Sequence, residues 1–269
     1  MLPDPAPLGG ALLCEFADGV FRLTLNRPEV ANAISTEQRN VIIDLLGEAS
    51  NDPDVRVIVL AANGKQFCAG ADVGGIDPGG ERRVTASMNR IMGGAQRLVA
   101  SVLDCNKPII GAVQGTAAGM GAHLAYACDF VVASENASFI ESFILRGLVV
   151  DAGGAYLLPR RIGLQRAKEM ALFGDRLPAV DAQQLGLVNR VVPATDLAAT
   201  VDEFAGRLAT LPTTSVSLIK RLFNSSQEHS RADAFLAEAM AQEIQTRSHD
   251  SAEGVTAFKE GRKPEYLGW

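Results

Sequence analysis

Two spacings of apolar residues run along this chain, and the change from one regime to the other divides it near residue 195. Before that point, short β-branched runs alternate with stretches where apolar residues recur every three or four positions, the pattern of strands alternating with helices. Leu12 to Phe16 and Val20 to Leu25 read as strands joined at Asp18-Gly19, a hairpin dipeptide. Ser35 starts a helix, with Gln38 completing a capping box, and Val41, Ile42, Leu45 and Leu46 carry it to about Ala49. Arg56 to Ala61 reads as a buried strand. Val84, Met88, Ile91, Ala95, Leu98 and Val102 line one face of a long helix, which Lys107-Pro108 stops. The strand Ile109 to Val113 then enters the turn Gly115-Thr-Ala-Ala-Gly-Met-Gly121, and a helix of small residues leaves at about Gly121. Asp129 to Ala133 is a short strand, Phe139 to Leu145 an apolar run, and Gly147 to Gly154 a turn into another helix. Leu164 to Phe173 is helical and Val188 to Val192 is a last strand.

From Asp196 the spacing is helical throughout, over 196–210, 213–224, 230–247 and 251–260. The expectation is an α/β core over 1–195 and an all-helical extension over 196–269. Residues 1–10 are rich in Pro and Gly and read as loose. Gly74, Gly75, Pro78, Gly79 and Gly80 suggest a mobile lid over a pocket.

Composition narrows the function. With 47% hydrophobic residues in 269, the chain can bury a full core. A net charge of −6 argues against wholesale nucleic-acid binding, so an anionic ligand needs a local basic patch. Cys14, Cys68, Cys105 and Cys128 form no CxxC pair, and the three histidines are scattered. No metal cluster is expected, and reduced thiols suit a cytoplasmic protein. The first residues have no basic or apolar signal segment, and no run reaches membrane-spanning length.

The glycine turn carries the candidate chemistry. A helix start leaves unpaired N–H groups at the positive end of the helix dipole, and glycines let a ligand approach the backbone there. Such a turn suits a developing negative charge; a tight strand-to-helix connection without a ligand is the alternative.

Five segments, in order, resemble the crotonase family, the enoyl-CoA hydratases and isomerases. They are Asn26-Arg-Pro-Glu-Val-Ala-Asn-Ala33, Phe67-Cys-Ala-Gly-Ala-Asp72, Ala112-Val-Gln-Gly-Thr-Ala-Ala-Gly-Met-Gly121, Gly147 to Gly154, and Glu253 to Arg262. Gly147 to Gly154 is similar to the family's P-D-x-GG segment, with Val150 where proline is usual, and looks most like the ring-enoyl-CoA isomerases of phenylacetate degradation.

The resemblance implies a crotonase-type spiral of ββα units with a helical C-terminal extension, assembled as a homotrimer or a dimer of trimers. It implies an acyl-CoA substrate and no other cofactor, since coenzyme A arrives with the substrate. The backbone N–H groups of Ala71 and Met120 correspond to the oxyanion hole for the thioester oxygen. The Ala69 carbonyl corresponds to the adenine acceptor, and Val30 and Ala31 lie where the pantetheine passes. Phe258 and Lys259 match a C-terminal position that reaches CoA, although a solvated helix charge is the plainer reading of Lys259. Arg27, Lys65, Lys259, Arg262 and Lys263 are candidates for a phosphate patch.

The chain departs from the family where hydratases carry two glutamates: His123 and Phe143 stand there instead. Phe143 can neither activate water nor give a proton, so it counts with the acyl-binding residues, and classical hydration is disfavoured. Asp151 matches the isomerases' catalytic aspartate, and a single carboxylate fits a 1,3-proton shift. A helix N-cap is the other reading of Asp151. His123 is either a second base, a hydrogen-bond donor to the acyl group, or a packed core residue. Glu141 would share Phe143's strand face and is a third carboxylate candidate. Asp72 is expected to hold the oxyanion loop and Cys68 to pack. The reading is a double-bond isomerase; a hydratase or thioester hydrolase using His123 and a non-catalytic acyl-CoA binder are the alternatives.

Overall fold

Asp18 and Gly19 both take positive φ, 51° and 77°, as a two-residue hairpin matched to strand twist requires. They join β1 (Leu12–Ala17) to β2 (Val20–Leu25) in an antiparallel pair with Ala17 opposite Val20 and Leu12 opposite Leu25. Along β2 only the alternate residues Phe21, Leu23 and Leu25 are buried. The capping box forms: Ser35 Oγ accepts from the Gln38 N–H and Gln38 Oε1 from the Ser35 N–H, opening α1 (Thr36–Asn51). The computed structural model describes residues 8–72, 74 and 84–269. The expected lid at Gly75, Pro78, Gly79 and Gly80, and the first seven of the residues expected to be loose, lie outside the described residues.

After β3 (Val57–Ala62) the chain enters α2 (Ala86–Arg90), a π-helical segment (Ile91–Gln96) and α3 (Arg97–Leu103). The long amphipathic face expected here holds only in its second half. Leu98 and Val102 are fully buried, whereas Val84 is 91% exposed and Met88 52%. The π segment bonds at five residues rather than four, which rotates the face away from the 3.6-residue register.

Then come β4 (Ile109–Val113), β5 (Thr116–Ala118), α4 (Met120–Ala127), β6 (Phe130–Ser134) and β7 (Ser138–Ile140). They are followed by α5 (Gly154–Phe173), β8 (Arg176–Pro178), α6 (Ala179–Gln184) and β9 (Arg190–Val192). Two of these strands were not expected. Thr116–Ala118 lies inside the glycine turn, and Arg176–Pro178 is too short to show a period. The apolar run from Phe139 is strand only to Ile140, so Glu141 and Phe143 do not share a strand face. Gly163, at φ 77° and ψ 159°, breaks α5 in two.

Six strands form one sheet in the order β1-β2-β3-β4-β6-β9, parallel except for the hairpin. A smaller sheet, β5-β7-β8, stands apart from it. Parallel strands are buried on both faces. Ile58, Leu60, Ile109, Val113, Val131 and Ala133 face the main core with α1, α3 and α4. Val57, Val59, Ile110, Ala112 and Val132 face the other way and are covered by Val201 and Ala205 of α7 (Leu197–Ala209). Phe204 and Leu208 of α7 are partly buried against that face of their own sheet.

Helices α8 (Thr213–Ser225), α9 (Arg231–Gln245) and α10 (His249–Glu260) complete the chain. Lys220 of α8 reaches into the core, where its Nζ donates to the carbonyls of Val102 and Lys107 at 3.1 Å each and to Asp129 Oδ2 at 2.8 Å. All three ammonium protons are thereby used. No helix among the described residues is long and apolar enough to cross a membrane.

Candidate active site

Three backbone segments are laced together around the glycine turn. The Ala69 N–H donates to the Ala31 carbonyl, the Ile34 N–H to the Gly70 carbonyl, and the Asp72 N–H to the Ile34 carbonyl. The last two make a parallel bridge between Ile34 and Ala71, and in such a bridge the Ala71 N–H points to the opposite side. Gly70, the residue before it, lies against the start of α4. A Cβ placed on Gly70 would lie 2.9 Å from the Ala118 carbonyl oxygen and 3.5 Å from the Met120 nitrogen. Gly119, at φ 52° and ψ −124°, turns the chain into α4, and no side chain caps that helix. Gly121 is in contact with Cys68, so that any Cβ there would overlap the Cys68 carbonyl. Neither the Ala71 nor the Met120 N–H bonds to another backbone group among the described residues. The two expected oxyanion donors are therefore brought to one seam. The Met120 side chain is buried in the main core.

Asn32, which sequence reasoning passed over, ties this corner down. It is 2% exposed at φ 56°. Its Nδ2 donates to the Asn63 and Gln66 carbonyls, and its Oδ1 accepts from the Arg27 N–H. The N-R-P…N-A spacing carried that signal, since asparagine tolerates left-handed backbone and can bond on both sides.

The proposed phosphate patch divides. Arg27 is spent inside the chain: Nη1 donates to the Ala33 carbonyl, Gln38 Oε1 and Asp72 Oδ2, the last at 3.0 Å. The Gly74 N–H, then Arg27, hold the Asp72 carboxyl below its usual range, so Asp72 braces the loop. Arg262 is paired with Glu253 and Glu260, and it holds the Glu253 carboxyl down at about 2. Lys65, Lys259 and Lys263 are exposed and make no ion pair among the described residues. Phe258 and Lys259 stand on α10, with Phe258 88% exposed, and neither bonds to the 67–72 or 119–123 segments.

Behind the turn lies a corner of side chains. His123 and Glu141 are fully buried and joined, Nε2 to Oε2, at 2.9 Å. The Phe143 ring stacks on the imidazole at 5.5 Å between centroids and 12° between planes. A Cβ on Gly119 would lie 3.4 Å from Phe143 Cζ, which places Phe143 beside the seam. Tyr126 and Phe139 close the far side. Among the described residues, His123 Nδ1, Glu141 Oε1 and the Tyr126 hydroxyl have no partner. Two polar residues, each inside an apolar run, were the sequence signal for this pair: buried polar groups need partners, but nothing in the spacing says which.

Asp151 borders the corner, half-buried. The N-cap of α5 is Gly153, and no side chain caps it, so Asp151 does not serve as the cap. No group among the described residues hydrogen-bonds to the Asp151 carboxylate. Burial pushes its carboxyl above the usual range, opposed by His123 and Arg90. Cys68 is packed, its thiol pushed up to about 12 by burial. Among the described residues, no cluster of His, Cys, Asp and Glu could hold a metal ion.

The fold is of the crotonase type, mixed α/β with a helical C-terminal region, and the chain is a member of the enoyl-CoA hydratase/isomerase family, which it matches over residues 15–268. It is 37% identical over 260 residues to the 1,2-epoxyphenylacetyl-CoA isomerase of Escherichia coli (strain K12), covering 96% of this chain and 98% of that one. It is 33% identical over 249 residues to the 2,3-dehydroadipyl-CoA hydratase of the same organism, covering 93% and 95%. The crystal structure of an enoyl-CoA hydratase from Mycobacterium smegmatis superposes with a TM-score of 0.89 at 32% identity, over 95% of this chain and 98% of that one. The relatives include isomerases and hydratases, so the choice falls to the side chains.

Proposed function

We propose that this protein moves a double bond along an unsaturated acyl-CoA, with Asp151 as the single base. The observation that carries the reading is the Asp151 carboxylate: among the described residues it caps no helix and accepts no hydrogen bond, while the family's two glutamate positions hold Phe143 and a His123 committed to Glu141. The carboxylate takes a proton from the carbon beside the thioester, and the electron pair moves onto the thioester oxygen. The Ala71 and Met120 N–H groups stabilise that dienolate. Protonated Asp151 then returns the proton two carbons along, so no atom is gained or lost. The isomerase name of the E. coli relative supports this reading.

In this reading Val30, Ala31 and the Ala69 carbonyl cradle the pantetheine and adenine, and Phe143 lies along the acyl chain. Lys65, Lys259 and Lys263 meet the phosphates, in an otherwise acidic chain, so CoA affinity falls steeply with added salt. An affinity unchanged by salt counts against this patch. The reaction uses no resident cofactor. Exposed Phe223, Phe235, Leu236, Met240 and Ile244 suit packing of the 196–269 extension on neighbouring subunits as a homotrimer or dimer of trimers in the cytoplasm. A sedimentation mass of one chain at micromolar concentration argues against the assembly.

One observation favours a second reading. His123 Nδ1 has no partner among the described residues, so a hydratase or thioester hydrolase could use that atom. Turnover in labelled water separates the two, because isomerisation leaves no solvent oxygen in the product. Binding without any turnover would identify a non-catalytic acyl-CoA binder.

A further inference from the structure

Glu141 lies outside the family's acid–base positions that this chain retains, yet it is the fully buried carboxylate in the corner. A charge there is costly unless paired, and its one hydrogen-bond partner among the described residues is His123 Nε2 at 2.9 Å. The imidazole is confined on several sides. Phe143 stacks on one face, and the Cε1–Nε2 edge lies against Gly154, closely enough that a Cβ on Gly154 would overlap both atoms. Gly154 is three residues from Asp151, and its N–H donates to the Asp151 carbonyl at 2.9 Å. Glu141, the imidazole and the Asp151–Gly154 turn are thus in continuous contact.

We propose that Glu141 and His123 form a positioning pair for Asp151, with Glu141 accepting the Nε2–H of an imidazole that it holds against the Asp151–Gly154 turn. The pair acts in two ways. It fixes the turn that aims the carboxylate, and it keeps the polar ring beside a carboxyl that burial pushes above its usual range. The charged and titratable neighbours are few. His123 from α4 and Arg90 from α2 face Asp151, both favouring its ionised form, and Tyr126 of α4 faces Glu141. The proposal rests on Asp151 as the base for its catalytic meaning, but not for its geometry.

The test is the titration of Asp151 itself, followed by 13C NMR on Asp-labelled protein, with the signal assigned by its loss in Asp151→Asn. Glu141→Gln keeps the size and a hydrogen bond but removes the carboxylate that holds the ring. In that variant the Asp151 titration shifts, because the ring beside the carboxyl is no longer held in place; an unmoved titration overturns the pair. If Glu141→Gln fails to fold, the wild type decides. The chain has three histidines, and 15N spectra must place the His123 proton on Nε2. A proton on Nδ1 alone overturns the proposal.

Kinetics supply the second arm. Glu141→Gln lowers kcat by about tenfold or more, as expected for a misaimed group, leaves KM within about twofold as for loss of an interaction made in the transition state, and shifts the acid limb of the kcat profile. Loss of turnover in Asp151→Asn with wild-type turnover and pH profile in Glu141→Gln sinks the pair and keeps the base. Full turnover in Asp151→Asn sinks the base, while a moved Asp151 titration in Glu141→Gln still upholds the pair.

Discussion

The anion seam and the acid–base corner lie back to back, and they are made of different material. The seam is backbone: a parallel bridge at Ile34 and Ala71, a glycine turn, and the uncapped start of α4. The corner is side chains: His123, Glu141, Phe143 and Asp151, drawn from three segments. A backbone site depends on where a Cβ is forbidden, and it tolerates many identities elsewhere. A side-chain site depends on identity at every position. The chain therefore keeps its family's seam while carrying different groups in the corner.

Substitutions can break the two regions separately. The largest effect is expected in the corner. Asp151→Asn should lower the isomerisation rate roughly a hundred- to ten-thousand-fold, the usual range for general acid–base catalysis, with CoA affinity nearly unchanged by calorimetry. The seam should fail through stability instead. Gly121→Val drives a side chain into the Cys68 carbonyl, and overpacking of this kind costs about 1–3 kcal/mol, read as a lowered Tm together with lost turnover. A Gly121→Val protein with wild-type Tm and activity would remove the steric basis of the seam.

Smaller effects sharpen the contrast. His123→Ala, which removes a positioning group, should cost on the order of tenfold in kcat. Ser35→Ala lies outside both regions and breaks the α1 capping box, worth about 1 kcal/mol; it should lower Tm and leave kcat alone. The smallest effect concerns pH. Burial raises the Asp151 carboxyl above its unfolded value, so the folded state binds this proton more tightly than the unfolded state does. Its contribution to stability is greatest below the unfolded pKa and falls as pH rises through the folded pKa. Activity has the opposite sense, since the base is lost as pH falls. Asp151→Asn should therefore match or slightly exceed wild type in Tm at neutral pH while being nearly inactive, and a clear drop in Tm would point to a structural role.

The same division explains what the sequence made legible. The hairpin at Asp18-Gly19, the Ser35–Gln38 box, β3, β4 and the seam were readable because local chemistry dictates each of them. The fate of α7 was not. Its apolar face is the same whether it packs on its own sheet or on another subunit, and Phe204 and Leu208 chose the former. The π segment could not be read because its insertion leaves the residue types unchanged. The His123–Glu141 pair joins residues 18 positions apart, through a smaller sheet whose strands β5 and β8 carried no periodic signal. Arg27 and Arg262 looked like free cations because sequence lists charges without their partners.

The helix over the outer face of the large sheet has a consequence for the order in which the chain can fold. Val57, Val59, Ile110, Ala112 and Val132 are laid down early, but the residues that dry that face, Leu197, Val201 and Ala205, come much later. During synthesis, at about 5–20 residues per second, the sheet can form its inner core several seconds before its outer face has a cover. Throughout that interval a row of β-branched side chains stays wet. A chain released before α7 has emerged would carry its strands correctly ordered and remain sticky on one side, so this molecule becomes safe from self-association only when its last third arrives.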